Sequence, residues 1–466
     1  MEGTQFEFSY ADNASQQQMI AFEMAGELWS QYLTDDVTIN VHVEVTNLLP
    51  DNVIGGALPG MKKDVEYKKV YEELSQDITT GNDWYAVDSL LNEKEFSALV
   101  NGESADQLKK MKLTNANLKA LDLINGDKDR LDGYILMSDL SGQSNVQWDY
   151  DVARNGDIAQ NKLDFLSVAV HEVGHVLGFT SSLDDGDWLH VITEARDKGE
   201  DAKGDDMKFF TPLDLFRYSS RGQHELTIGR ESYFSIDGGR TNLANFSTGE
   251  SDSFNGDGYQ ASHWKHDGEN ILGIMDPVLK LGARRDISSL DIQAMDVTGW
   301  DVVDPGQLDW EEMYADAEER VEDAYMGDRT KDVEKMIKDP NNYHGRRSRS
   351  RSRGGYHRQE GLWQNIRFQT LDNLDLTVEV SPGIAGTRVF VISSSVDRTT
   401  ALENDLGDQE SASNSVDFSD QSLLVTTTDA VVLEVDSQME FVNLENGNLL
   451  ENRWIPENAA IWDVSV

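Results

Sequence analysis

The run His171-Glu172-Val173-Gly174-His175 constrains this chain most, because it sits inside an apolar segment that turns helical from Asn161 and stops at Gly178. Leu163, Phe165, Leu166, Val168, Ala169 and Val170 lead into it, and Val176 and Leu177 follow, so the helix is predicted to be buried. Positions i and i+4 of a helix share one face, so both imidazoles can reach a single point. Two buried histidines one turn apart need partners, since an unsatisfied polar ring is costly in a core. A metal ion satisfies both, and Glu172 stands one residue on, placed to handle the proton of a bound water. Histidine makes up only 9 of 466 residues, which counts against two surface histidines falling at this spacing by coincidence.

The rest of the chain reads as an α+β arrangement around that helix. Asn13 or Ser15 caps a helix running to about Leu33, with Ile20, Met24, Leu28 and Tyr32 on one face. Val37, Ile39, Val41, Val43 and Val45 then alternate with Thr38, Asn40, His42 and Glu44, which predicts a half-buried strand. An amphipathic segment at Lys63–Asp77 follows, and Gly133–Leu140 reads as a further strand. That strand is either the edge of the sheet, open to pairing with an extended peptide, or an ordinary interior member. A polar, acidic insertion spans Asp184 to about Asp257, and a helix is expected at Asp286–Thr298.

A single core rarely grows past about 300 residues, so more than one unit is expected. The divisions predicted are a domain at 1–303 with a mixed sheet, a charged helical extension at 304–340 broken at Gly327, and an Arg/Ser/Gly-rich linker at 341–356. Short β-rich runs at Leu374–Val380, Val389–Ile392, Leu423–Val425, Val431–Val435 and Ile461–Val466 make residues 357–466 an all-β, sandwich-like module.

Composition narrows the partners. Lys and Arg number 40 against 85 Asp and Glu, so the formal charge is 40 − 85 = −45, which repels nucleic acid and anionic membranes. No apolar run approaches the roughly 18 residues of a membrane span. There is no cysteine, which excludes disulfides, thiolate metal sites and cysteine nucleophiles. Met1-Glu2-Gly3-Thr4-Gln5 shows no basic start leading into an apolar stretch, the mark of an export signal. The acidic runs Asp184-Asp185-Gly186-Asp187 and Asp205-Asp206 fit no twelve-residue calcium loop, so they read as solvated surface and calcium is not predicted. Oligomeric state is not legible.

The extension to Gly178-Phe179 resembles the start of the metzincin protease pattern, in which a glycine ends the helix and turns the chain. The short form of that pattern puts its next ligand three residues later, where this chain has Ser181, a poor zinc ligand. Downstream, Ala261-Ser262-His263-Trp264 and Gly273-Ile274-Met275-Asp276-Pro277 look like the leishmanolysin-type metzincins, whose third histidine lies beyond a large insertion. That resemblance implies zinc bound by His171, His175 and His263, with Glu172 as general base and Met275 in the turn beneath the metal. Leishmanolysin is rich in disulfides, so the likeness is to its site.

A closer likeness is to a group of bacterial, often cyanobacterial, metalloproteases. It is carried by Leu163-Asp164-Phe165-Leu166-Ser167, Thr211-Pro212-Leu213-Asp214-Leu215-Phe216-Arg217, Ala261-Ser262-His263-Trp264, Ile274-Met275-Asp276-Pro277 and Leu290-Asp291 to Gly299-Trp300-Asp301, over roughly residues 5–350. Asp184 and His266 compete with His263 for the third position, Asp184 also as a carboxylate that orients a ligand. His42, His190, His224, His344 and His357 read as surface or ordinary structural residues, Trp264 as packing.

The expected function is a zinc-dependent endopeptidase with one catalytic zinc ion, acting on a protein or peptide; the resemblance also implies secretion. A zinc hydrolase of another amide or ester, and a non-proteolytic metal-containing surface or binding protein, are the alternatives.

Overall fold

The alternating valines form β2 (Thr38–Thr46), which lies in the middle of a mixed sheet. The computed structural model describes residues 3–338, apart from 48, 50–52, 107, 125–129, 142–144, 155, 200–201, 251–253 and 269–270, and beyond them only strand backbone within 367–465. Parallel to β2 run β1 (Gln5–Tyr10) on one side and β4 (Gly133–Ser138) on the other. On the far side of β4 lies β3 (Val53–Pro59), antiparallel to it. Tyr325–Met326 pairs with β1. Ile461–Ser465 runs parallel to β3 and antiparallel to Val278–Leu279.

This topology decides two expectations. The strand at Gly133–Ser138 is an interior member, held by β2 and β3, and not an edge open to a peptide. β2 is buried on both faces, not half-buried. Alternation shows that two faces differ in chemistry; it does not show that the polar face is wet. Here neighbouring strands supply the polar partners: Ser9 Oγ lies 3.0 Å from His42 Nδ1, and Tyr134 donates to Glu44 at 2.6 Å.

Two helices pack on this sheet. α1 (Gln16–Ser30) begins in a Ser15/Gln18 capping box that satisfies its first amides. α2 (Phe165–Leu177) carries the histidine pair and is buried along its whole length. Trp29 of α1 donates its indole N–H to the Val170 carbonyl at 2.9 Å, tying the helices together. α2 approaches β4 closely because Gly133 has no side chain: a Cβ there would lie 2.5 Å from Val176.

The chain divides into two units, Met1–Arg353 with Ala460–Val466, and Gly354–Ala459. Residues expected to form a separate helical extension lie within the first unit, as helices Trp310–Glu322 and Thr330–Lys338 with the β1-pairing residues between them. The amphipathic segment near Lys63 is a strand, Met61–Glu66, before a short helix, Tyr67–Leu74, because Lys110–Thr114 pairs with it. The acidic insertion is not simply solvated: it contains small strands and buries Phe210, Phe216, Arg217 and Phe234. In the second unit the strand backbone forms antiparallel ladders, among them Asp375–Pro382 with Arg388–Ser393 and Ala430–Val435 with Gln438–Glu445. The Arg/Ser-rich linker, His344 and His357 lie outside the described residues.

Acidity reaches the interior. Burial, and then the charge of Asp301, pushes Asp35 up to about 8. Burial followed by Asp301 raises Asp77 to about 7, and burial followed by Asp83 raises Asp296 to about 7. Carboxyls raised in the fold stabilise it fully below their unfolded pKa of about 3.9, and that contribution is lost as pH rises through the folded values. His42 and His224 work in the opposite direction: burial lowers both to about 3, so their contribution is lost as pH falls below about 6.5. The melting temperature of the metal-free protein should therefore rise as pH drops from about 8.5 to about 6.5, and Asp35→Asn should flatten that rise. A melting temperature that stays level or falls over this window would contradict the assignment.

Candidate metal centre

α2 starts where Asp164 accepts from the Ser167 amide at 3.2 Å, and it stops at Gly178, whose φ of 127° suits glycine. The turn brings the Phe179 carbonyl back to His175 Nδ1 at 2.7 Å. His171 Nδ1 meets the Ile274 carbonyl at 2.6 Å, and His263 Nδ1 meets the Gln260 carbonyl at 3.1 Å. A carbonyl oxygen only accepts, so all three rings carry a proton on Nδ1, which leaves Nε2 as the nitrogen that could bind a metal ion.

Those three Nε2 atoms converge. His171 and His175 are 2.8 Å apart at Nε2, His171 and His263 3.2 Å, and the rings are 3 %, 0 % and 0 % exposed for His171, His175 and His263. Three ring nitrogens brought this close in a buried site are a ready donor set for one cation. Ring orientation by carbonyls is also how metal-binding histidines are usually held. The group can therefore hold a metal ion, and among the described residues it is the one cluster of three or more such side chains close enough to do so.

The other candidates for the third position do different work. Asp184 accepts from the Ala261 amide at 2.8 Å, the Ser262 amide at 2.7 Å and the Ser262 hydroxyl at 2.5 Å. It clamps the two residues before His263, so it is a buried anchor and not part of a solvated acidic face. Burial outweighs these hydrogen bonds and pushes its carboxyl up to about 6. Ser181 joins the same anchor, its amide donating to Ser262 Oγ at 3.0 Å and its hydroxyl to Asp214 at 2.7 Å. Buried Arg217 donates to the Ala261 carbonyl at 2.5 Å. His266 points elsewhere, with Nδ1 3.0 Å from Asp276. Of the remaining histidines, His42 and His224 are interior and His190 is on the surface.

Met275 is fully buried against α2: a Cβ on Gly174 would lie 2.6 Å from its sulfur. Its turn is fixed by a residue that sequence reading quoted without giving it a role. Asp291 accepts from the Ile274 amide at 2.9 Å, the Met275 amide at 3.3 Å and the Trp264 indole at 2.7 Å. Trp264 is thus packing, wholly buried, with its polar end satisfied. The signal that could have singled out Asp291 is the capping box Ser288-Ser289-Leu290-Asp291, which predicts a helix start but not its long-range contacts.

Glu172 is fully buried at the β3 side of α2, where Gly55 of β3 faces its carboxylate. The arrangement offers three imidazole nitrogens that could hold a metal ion, the carboxylate of Glu172 on the same helix, and backbone that fixes each ring. No family model matches the chain, and no curated protein or solved structure matches it.

Proposed function

We propose that the chain is a zinc-dependent endopeptidase of the metzincin type. The observation that carries the reading is the convergence of three Nδ1-protonated histidines in a buried site, two of them flanking Glu172 on one helix. Neutral imidazoles suit zinc, and three of them leave a fourth position for water. Zinc, when bound, supplies a Lewis acid and lowers the pKa of a water to about 7.

The chain's own residues do the rest. His171, His175 and His263 hold the ion, and the Ile274, Phe179 and Gln260 carbonyls keep their rings in the binding tautomer. Glu172 takes the proton of the attacking water and returns it to the leaving amine. Asp291 and Met275 hold the turn whose carbonyl orients His171, and Asp184 holds the loop that carries His263. The same proposal takes the β-rich residues from 357 as an all-β sandwich, which the antiparallel ladders there support, but ends it at 459 and not 466 because Ile461–Ser465 pairs within the sheet of the first unit; it takes the protein as secreted, which rests on the likeness to bacterial metalloproteases.

The test is to load the protein with zinc and incubate it with an unfolded protein. New peptide N-termini should appear and should vanish with a chelator. Cleavage of esters but not peptides would favour the other hydrolase. A folded, zinc-loaded protein that cleaves nothing would favour a binding role.

A further inference from the structure

We infer that Gly55 is a positioning residue for the reaction proposed above: its missing side chain gives the Glu172 carboxylate its place between β3 and α2. A Cβ built on Gly55 would lie 2.7 Å from Glu172 Oε1, 3.3 Å from its Cδ and 2.8 Å from Val168 Cγ1. Real Cβ atoms do not come that close, so a side chain there would force its neighbours to move.

Backbone conformation does not explain this glycine. Gly55 is not among the residues with positive φ, so any residue could adopt its extended geometry. Glycine inside a strand weakens it and often marks a close approach by another group. The approach here is by Glu172 and Val168, one helical turn apart on α2.

The neighbours differ in what they can yield. β3 is fixed by its register with β4, in which Gly55 is opposite Met137 and Ala57 opposite Ile135. Val168 is 3 % exposed and packed in the core. The Glu172 carboxylate is the far end of a flexible side chain, so it gives way most easily. A methyl group at position 55 should thus cost the carboxylate its position, and the contact with Val168 should cost the fold stability as well. The three atoms nearest to a Cβ at 55 belong to Glu172 and Val168 and not to the histidines.

The inference rests on Glu172 being the general base, and the experiment separates the two claims. Wild type, Gly55→Ala, Glu172→Asp and the double variant are loaded with zinc and assayed for peptide hydrolysis, with crystal structures of wild type and Gly55→Ala. Gly55→Ala should bind zinc as wild type does, keep its KM and lose at least about 10-fold in kcat, within the usual range for a displaced acid–base group. The shorter carboxylate of Glu172→Asp sits back from position 55, so adding Gly55→Ala should cost that variant less than about 3-fold. The crystal structures should show the carboxylate displaced while the three histidines stay in place. Unchanged kcat in Gly55→Ala, an equal loss in both backgrounds, or an unmoved carboxylate would overturn the inference. An inert zinc-loaded wild type would instead defeat the endopeptidase reading, and the crystal structures would still decide whether Gly55 places the carboxylate.

Discussion

Glu172→Gln should retain zinc at wild-type affinity and lose about 10²–10⁴-fold in peptide hydrolysis, the usual contribution of a general base. Gln has nearly the shape of Glu and can occupy the same gap beside Gly55, so neither the helix nor the sheet has reason to shift. It cannot take a proton from water at neutral pH, and it has none to return to an amine. The three ligands are untouched: each keeps its Nδ1 hydrogen bond to a backbone carbonyl, and none of those bonds involves position 172. The loss should fall on kcat and leave KM nearly unchanged, because the interaction removed belongs to the transition state. Metal content by elemental analysis and steady-state kinetics on one preparation decide the matter. Hydrolysis at the wild-type rate would end the role given to Glu172.

What could be read without the structure follows the range of the interactions. The α2 helix was legible because its signal is local, an apolar spacing up to Leu177 and a glycine stop at Gly178, but its start reads as Asn161, whereas Lys162–Asp164 is a strand paired with Gln147–Asp149 and the helix begins at Phe165. His171 and His175 came with it, since helix geometry alone puts them on one face. Nothing local points to His263. Its Nε2 meets His171 only because Asp184 and Arg217 pin Ala261 and Ser262 from far along the chain. Spacing therefore left Asp184 and His266 open, and a resemblance in residues 261–264 had to supply a preference. Gly55 was invisible for a related reason: the gap it leaves is filled by a side chain from another element. The polar face of β2 misled for the opposite reason, since Ser9 and Tyr134 lie on strands whose pairing with it cannot be read from β2 itself.

The second large effect is on metal binding, and it should be graded. On the proposed reading, His263→Ala removes one of three nitrogen ligands. Apparent zinc binding energies of about 10–16 kcal/mol for four-ligand sites imply roughly 3 kcal/mol per ligand, or at least about 100-fold in affinity. Asp184→Asn leaves the ligand in place and weakens what holds it. Its carboxylate accepts three hydrogen bonds from Ala261 and Ser262, while an amide has one acceptor oxygen and adds donors that face other donors. Loss of such support around a metal ligand typically costs about 10–100-fold in metal affinity or activity, so Asp184→Asn should fall between wild type and His263→Ala. Competition with a chromophoric chelator measures all three on one scale, and His266→Ala belongs beside them because its ring meets Asp276 and should leave zinc affinity within about 2-fold of wild type. If His266→Ala released zinc and His263→Ala did not, the third ligand would be His266. If Asp184→Asn lost more affinity than His263→Ala, Asp184 would be acting on the metal itself, since an anchor acting through the loop cannot cost more than the ligand it positions.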